Sequence, residues 1–158
     1  MAFRFIKEVS LVSTDETTKN GGPMSEIVLG DKRTGKKVPG VVLEASIRWN
    51  DFYLVFTTDG VDFEDFLTIL LLDESCEIVD QARLGMMYST GTFGGARLVG
   101  ENEVDFQFIG DTTWTVELLE KPGFRIPLVP DRIGVWRPFG FRRHFVVRGD
   151  PKPVELAK

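Results

Sequence analysis

The chain has 158 residues, of which 42% are apolar and 27% charged, with a formal net charge of −5 and a sequence pI near 5.0. This length is typical of one domain with a sizeable core, and no uninterrupted apolar run exceeds five residues, far fewer than the about 20 that a membrane-spanning helix needs. A single cysteine, Cys76, excludes an internal disulfide, and the first residues lack the apolar stretch of a signal peptide, so we expect a cytoplasmic protein.

Charge is unevenly distributed along the chain. Residues 1–120 carry 10 basic and 21 acidic side chains, whereas residues 121–158 carry 9 basic and 3 acidic ones. No lysine or arginine lies between Arg48 and Arg83, although nine acidic residues do. Such a block is typical of solvated faces and turns, but it also suits an electrostatic surface for a basic partner.

The N-terminal part of the chain predicts strands separated by a loop. Apolar and polar residues alternate over residues 1–12, which indicates a strand. Residues 13–25 are polar and rich in turn-forming side chains, so we predict a mobile loop there. A short strand over residues 26–29 and a turn-rich connection over residues 30–35 follow.

Residues 42–58 predict a β-hairpin whose register is fixed by the sequence pattern. A slip by one residue would turn every apolar side chain to the opposite face, so a two-residue Asn50-Asp51 loop is favoured. The predicted cross-strand pairs are Trp49 with Phe52, Ile47 with Leu54 and Ala45 with Phe56 on one face, and Arg48 with Tyr53, Ser46 with Val55 and Glu44 with Thr57 on the other.

Residues 66–84 predict two further strands. The almost continuous apolar run 66–72 is typical of a strand covered on both faces. A turn at residues 73–75 leads into the strand 76–84 and places Leu72 opposite Cys76. We therefore expect Cys76 to be a small core residue and not a reactive thiol.

A glycine-rich stretch, residues 84–98, joins this pair of strands to the next group. Its four glycines suit a wide connection whose backbone takes positive φ or closely approaches another surface. Beyond it, residues 96–99, 104–108 and 114–118 predict strands. Parity requires an odd number of residues in the loop around Gly110-Asp111, most simply three, which sets Phe108 opposite Trp114, Phe106 opposite Val116 and Val104 opposite Leu118.

The last part of the chain changes character after Lys121, because six of the eight prolines lie between Pro122 and Pro153. Central strands do not hold so many prolines. We therefore predict edge strands and an ordered loop, followed by a loose tail. The edge strands cover residues 124–128 and 141–147, the loop covers residues 129–140 with Ile133, Trp136 and Phe139 as its anchors, and the tail covers residues 149–158.

Residues that could carry chemistry are few. His144 is the only histidine, which excludes a histidine-based metal triad, and its basic neighbours favour an exposed strand over a catalytic role, so we expect it to be dispensable. The carboxylates near Asp62 lack the spacing of a calcium loop, and we expect no metal or cofactor. Two further clusters are weaker candidates for binding. The hydroxyls of Tyr88, Ser89, Thr90 and Thr92 could hold a ligand, but turn chemistry explains them as well. The low pI argues against nucleic-acid binding by the basic and aromatic cluster of Arg142, Arg143, Arg148, Phe141, Phe145 and Trp136.

An acidic surface is the strongest candidate for recognition. The turns at residues 59–65 and 73–75 are expected to be exposed, and two aromatic residues of the following loop would supply anchors for a partner. The predicted partner-binding residues are Asp59, Asp62, Glu64, Asp65, Asp73, Glu74, Glu77, Asp80, Tyr88 and Phe93.

A family resemblance agrees with this hypothesis. The stretches 70–80, 84–85, 88–93, 104–110 and 113–114 are similar to small β-rich immunity proteins of bacterial polymorphic toxin systems. The resemblance covers about residues 66–119 and implies a cytoplasmic, non-enzymatic protein that masks a toxin by binding it.

The fold class that follows is a single all-β domain over residues 1–158. We expect roughly eight to ten mostly antiparallel strands in a meander that forms a barrel or a sandwich. A barrel that holds a small ligand among aromatic side chains is the alternative function, and a large apolar cavity would favour it.

Overall fold

The computed structural model describes residues 2–61, 65–85, 91–124, 134–138 and 142–150, and all regular structure in these ranges is β-strand. This confirms the predicted all-β class, and no helix in these ranges is long and apolar enough to cross a membrane. The strands are β1 (Phe3–Phe5), β2 (Val9–Thr17), β3 (Pro23–Leu29), β4 (Lys32–Pro39), β5 (Val42–Trp49), β6 (Phe52–Thr58), β7 (Leu67–Leu72), β8 (Ile78–Leu84), β9 (Gly94–Val99), β10 (Glu103–Gln107), β11 (Thr113–Phe124), β12 (Val135–Trp136) and β13 (Arg142–Arg148).

The strands form three sheets, and the pairs with a described register are all antiparallel. One sheet has the order β1-β5-β6-β7-β8-β12, the second β13-β11-β10-β9 and the third β2-β3-β4. Each sheet ends in two edge strands, so none of the three closes into a barrel within the described residues.

The chain divides into two compact units. Unit 1 contains residues 1–60 and 67–81, and unit 2 contains residues 61–66 and 82–158. The chain therefore crosses the boundary three times, and the third crossing lies inside β8, between Gln81 and Ala82.

Unit 1 is a sandwich of the β2-β3-β4 sheet on the β5-β6-β7 strands. Its core joins residues of both layers in one buried cluster, because alternate side chains of each strand point to the shared interior. The fully packed members are Val9, Ile27, Val38, Val55, Leu70, Leu72 and Cys76, and Ile6, Leu11, Leu29, Leu43 and Tyr53 pack around them. All six residues of β7 are buried, which confirms the prediction of a strand covered on both faces.

The predicted hairpin register of β5 and β6 is confirmed. Trp49 lies opposite Phe52 across a two-residue turn, and the pairs continue in phase as far as Ala45 opposite Phe56. Asn50 has a φ of 52°, in the left-handed region that asparagine tolerates. The predicted Glu44–Thr57 pair is wrong, because the register shifts between Leu43 and Ala45 and leaves Glu44 as an irregularity.

The N-terminal prediction needs three corrections, one of which is that residues 32–35 of the predicted turn-rich connection belong to β4. Residues 1–12 do not form one strand but parts of two, β1 and β2, which belong to different sheets. The predicted loop over residues 13–25 is wrong for residues 13–17 and 23–25, which extend β2 and β3. The polar composition reflects exposed outer faces, and hydrogen bonds such as Thr14 Oγ1 to the Met24 carbonyl (3.1 Å) stabilise the extension.

Unit 2 contains the four-stranded sheet, in which β10 and the first part of β11 alternate buried apolar and accessible polar residues. Phe106 lies opposite Trp114 and Val104 opposite Val116. The loop between Gln107 and Thr113 has five residues, so the predicted odd length is confirmed while the predicted pairs are wrong by two positions. The longer loop places the Ile109 carbonyl 2.9 Å from Trp114 Nε1, which satisfies the buried indole.

The glycine-rich stretch and the C-terminal region of unit 2 fit their predictions in part. Gly95 has a φ of 64°, and a Cβ on Gly91 would lie 2.6 Å from Ile109 Cγ2, so both predicted uses of glycine occur. β13 is an edge strand, as predicted. The predictions for residues 125–133, 139–141 and 151–158 lie outside the described residues.

Candidate functional site

The turn that follows β7 is the best-defined part of the predicted acidic surface. The Asp73 carboxylate accepts hydrogen bonds from the backbone N–H of Ser75 (2.9 Å) and of Glu77 (3.0 Å). The N–H of Asp73 donates to the Glu77 carbonyl at 3.0 Å, so the loop is Glu74-Ser75-Cys76 and not the predicted residues 73–75. Asp73 therefore holds the turn together and its carboxylate faces inward on the loop.

Cys76 occupies the last position of this turn. It has a φ of 63°, unusual for a residue with a side chain, and only 2% of it is exposed. Its thiol packs in the core of unit 1, as predicted, and burial raises the pKa of the thiol above its usual value. The side chain anchors the turn from the inside.

Two carboxylates project from the turn toward solvent. The side chains of Glu74 and Glu77 are 66% and 59% exposed. Glu74 accepts a hydrogen bond from Arg48 Nη2 at 3.1 Å, and Glu77 pairs with Lys36. Because exposed ion pairs typically contribute only about 0–1 kcal/mol, a cation on a partner can displace either one at little cost.

Arg48 itself is held by three groups of unit 1. Its guanidinium carbon lies 4.5 Å from the centre of the Tyr53 ring, and its Nε donates to the Asn50 carbonyl at 2.7 Å. The third contact is the ion pair with Glu74. The side chain that faces the acidic turn is thus fixed by the strand pair beneath it.

The remaining predicted recognition residues do not all reach the surface. Asp59 and Asp80 are only 8% and 6% exposed, which corrects the expectation that the turn at residue 59 presents its first carboxylate to solvent. Asp80 Oδ1 accepts a local hydrogen bond from the Gln81 N–H at 2.8 Å. Both carboxylates are therefore largely withdrawn from solvent.

The other predicted residues belong to unit 2 or lie outside the described residues. Asp65 is half-buried, and Phe93 is half-buried with its ring stacked on Phe106 at 5.5 Å between centres. Asp62, Glu64 and Tyr88 lie outside the described residues. The structure thus brings together Asp73, Glu74 and Glu77 of the predicted set, and of these only Glu74 and Glu77 have exposed carboxylates.

The basic and aromatic residues of β13 are engaged within unit 2. Arg143 is 8% exposed and donates to the Pro138 carbonyl at 2.9 Å, which corrects the expectation of a basic exposed strand at this position. Arg137 donates to the Phe145 carbonyl at 2.8 Å and lies over the Phe145 ring. His144 is half-buried on the same strand.

Trp136 differs most from its predicted role. It was expected to anchor a loop, but 52% of its surface is exposed on the terminal strand β12. Its ring contacts Phe66 at 6.0 Å between centres, and Arg83 covers the same Phe66 ring at 4.6 Å. The proline-rich context indicated a loop and gave no signal for a strand at this edge.

Side chains that could hold a metal do not converge in the part of the chain that the structure describes, where no group of three or more His, Cys, Asp and Glu residues lies together. Comparison with protein-family models, with curated proteins and with solved structures finds no significant match to this chain.

Proposed function

We propose that this chain is a non-enzymatic binding protein that recognises a basic protein through the exposed carboxylates of Glu74 and Glu77. The observation that carries the proposal is the turn of residues 73–77. It is held from below by Asp73 and Cys76, and it presents two exposed carboxylates whose present partners are weak surface pairs.

The charge distribution supports a basic partner over an acidic one. The turn lies in a stretch of sequence without lysine or arginine, and the cations that reach it come from other strands, Lys36 of β4 and Arg48 of β5. Opposite charges on a partner would raise the association rate, and this effect would weaken as salt screens the charges.

The more specific form of the proposal is an immunity protein. The resemblance over residues 66–119 includes β7, the turn and β8, so the similar segment contains the proposed recognition residues. Masking a toxin requires tight binding and no catalytic group, and a preformed turn favours tight binding because little conformational entropy is lost on association.

The test compares two matched double variants. The chain is used to capture its partner from the native host, and the purified partner is then measured by stopped-flow binding at several salt concentrations. Glu74→Gln with Glu77→Gln should slow association at low salt and reduce its salt dependence. Asp31→Asn with Glu101→Gln removes two exposed carboxylates elsewhere and should leave association unchanged.

The immunity role is tested separately in cells. Expression of the captured partner should arrest growth, and co-expression of the chain should restore it. Equal association rates for both double variants would overturn the proposed surface, and a partner that is harmless to the cell would overturn the immunity role.

A further inference from the structure

Two arginines face each other directly on neighbouring strands of unit 1. Arg4 of β1 is the register partner of Arg48 of β5. Backbone hydrogen bonds flank this pair on both sides, from Ile6 N to the Ser46 carbonyl (3.0 Å) and from Asn50 N to the Ala2 carbonyl (2.9 Å). Directly opposed residues share one face of a sheet, with Cβ atoms roughly 4.5–5.5 Å apart.

Such a pair is unfavourable by itself, since like charges at directly opposed positions repel. Arg48 is compensated by Glu74 and by the Tyr53 ring. Arg4 is exposed, and its side chain makes no hydrogen bond or ion pair with any residue in the described ranges. The second positive charge of the pair is therefore uncompensated in unit 1.

We propose that Arg4 and Arg48 form a binding site for a doubly charged oxyanion, a phosphate group or a dicarboxylate. Guanidinium groups bind planar or tetrahedral oxyanions through paired N–H donors, and they match phosphate and carboxylate geometry better than ammonium groups do. Arg48 is oriented in advance by Tyr53 and the Asn50 carbonyl, so binding does not require its side chain to be ordered.

Glu74 has a defined part in this site as an internal competitor. Its carboxylate occupies one donor of Arg48, and it is 66% exposed, so it can leave without breaking any buried contact. An incoming dianion replaces one negative charge by two beside two positive charges. The oxyanion site does not depend on the proposed protein partner. Glu74 has opposite effects on the two kinds of binding, because it competes with the oxyanion for Arg48 but attracts a basic protein.

The experiment is a titration of the isotope-labelled chain followed by NMR of the arginine Nε–H groups and the Tyr53 backbone amide. The probes are inorganic phosphate and malonate, and sodium chloride at matched ionic strength is the control. We expect phosphate or malonate to shift the signals of Arg4, Arg48 and Tyr53 in a saturable manner. Saturation by only one of the two identifies the chemical source of the oxyanion.

Three variants make the assignment specific. Arg4→Gln should weaken oxyanion binding by about fivefold or more, and Glu74→Gln should strengthen it by about fivefold, the effect of removing one exposed ion pair. Arg97→Gln removes an exposed arginine of unit 2 with the same change in net charge and should have no effect.

The proposal is overturned if sodium chloride reproduces the shifts, or if Arg4→Gln and Arg97→Gln bind phosphate equally well. It is also overturned if Glu74→Gln weakens binding. A failure of the basic-partner proposal would leave these results unchanged, because no protein partner takes part in the titration.

Discussion

Gly40 has almost no room for a larger residue. Its φ is 98°, and a Cβ added to it would lie 2.4 Å from Thr57 Oγ1. The same backbone is held on both sides, because Ser25 Oγ donates to the Gly40 carbonyl at 2.7 Å and the Gly40 N–H donates to the Pro23 carbonyl at 2.8 Å. A larger residue at this position would have both an unfavourable φ and a steric clash. The backbone could not move to relieve either one without breaking one of these hydrogen bonds.

We therefore predict that Gly40→Ala lowers the free energy of unfolding by about 2 kcal/mol or more. Urea denaturation followed by fluorescence measures this difference. Gly94→Ala is the matched control, since a Cβ there meets nothing within 4 Å and its φ is ordinary, and it should change stability by less than about 1 kcal/mol. Equal effects of the two substitutions would contradict the steric explanation.

Glu26 gives unit 1 a pH dependence with a defined sign. Its carboxylate accepts from Arg33 Nη2 at 2.6 Å and from the Gly35 N–H at 3.0 Å, and these bonds hold the pKa of Glu26 below its usual value. The ionised form is thus favoured by folding. The stability that it contributes is present above the unfolded-state pKa and is lost as pH falls through the lower folded-state pKa.

The variant Glu26→Gln tests this dependence. Its melting temperature should lie below that of the parent protein at pH 7, and the gap should shrink as the pH falls below about 4. Thermal melts at a series of pH values measure the gap. A gap that stays constant with pH would show that the Glu26 charge does not stabilise the fold.

Three charged side chains lie together on one face of the four-stranded sheet. Glu103 of β10 and Glu117 of β11 are direct register partners, so two like charges face each other. Arg148 of β13 donates to both, at 2.7 Å and 3.0 Å. The pKa of Arg148 is raised, first by its hydrogen bond with Glu103 and also by that with Glu117. Arg148 on the edge strand β13 therefore offsets the repulsion between Glu103 and Glu117 on the neighbouring strands β10 and β11.

Loss of this bridge should cost more than loss of an ordinary surface pair. We predict that Arg148→Gln lowers stability by about 1 kcal/mol, discounted for the partial exposure of the group, and that added Glu117→Gln restores part of the loss. Arg97→Gln, which breaks one exposed pair with Asp105, should cost about 0.5 kcal/mol or less. Chemical denaturation of the four proteins at low salt decides the order, and equal losses for both arginine variants would contradict it.

Strand register was predictable wherever apolar parity and a short turn acted together. The β5–β6 hairpin meets both conditions, and its pairs agree with the sequence pattern from Trp49 to Ala45. The apolar alternation also predicted an odd number of residues in the loop after Gln107. A shift of two residues leaves this alternation unchanged, so the pattern could not distinguish a three-residue loop from the observed five-residue loop. The longer loop is the one in which the Ile109 carbonyl accepts the hydrogen bond of the Trp114 indole. The turn after β7 was misplaced by one residue because a cysteine with positive φ has no signal in composition.

The candidate site was predictable only in part, for a related reason. Acidic residues crowd the sequence from 59 to 80, but sequence spacing cannot separate an exposed Glu74 from a buried Asp80. The Arg4–Arg48 pair depends on the register of β1 against β5, which joins residues more than 40 positions apart without a turn to fix them. Long-range pairing therefore brings together the two arginines of the proposed oxyanion site.

The uneven burial of the strands predicts large differences in the rate at which their backbone amides exchange with solvent. β6 and β7 lie inside the six-stranded sheet, and every residue of β7 is buried, whereas the outer half of β2 is an exposed edge. We predict that the amides of β7 exchange with solvent only through global unfolding, and that those of residues 13–17 exchange orders of magnitude faster. Native-state hydrogen exchange measures both, and equal protection would contradict the prediction.

The threefold crossing between the two units limits how this chain can be rearranged. Residues 61–66 belong to unit 2 and interrupt unit 1, which resumes at residue 67 and ends at residue 81. No single cut therefore yields either unit as one continuous peptide. A single genetic crossover after residue 81 would transfer all of unit 1, but it would carry residues 61–66 of unit 2 with it. During synthesis, all of unit 1 has been made once residue 81 is added, while most of unit 2 has yet to be translated. The ribosome therefore completes unit 1 first, but one crossover cannot exchange unit 2 without separating residues 61–66 from the rest of that unit.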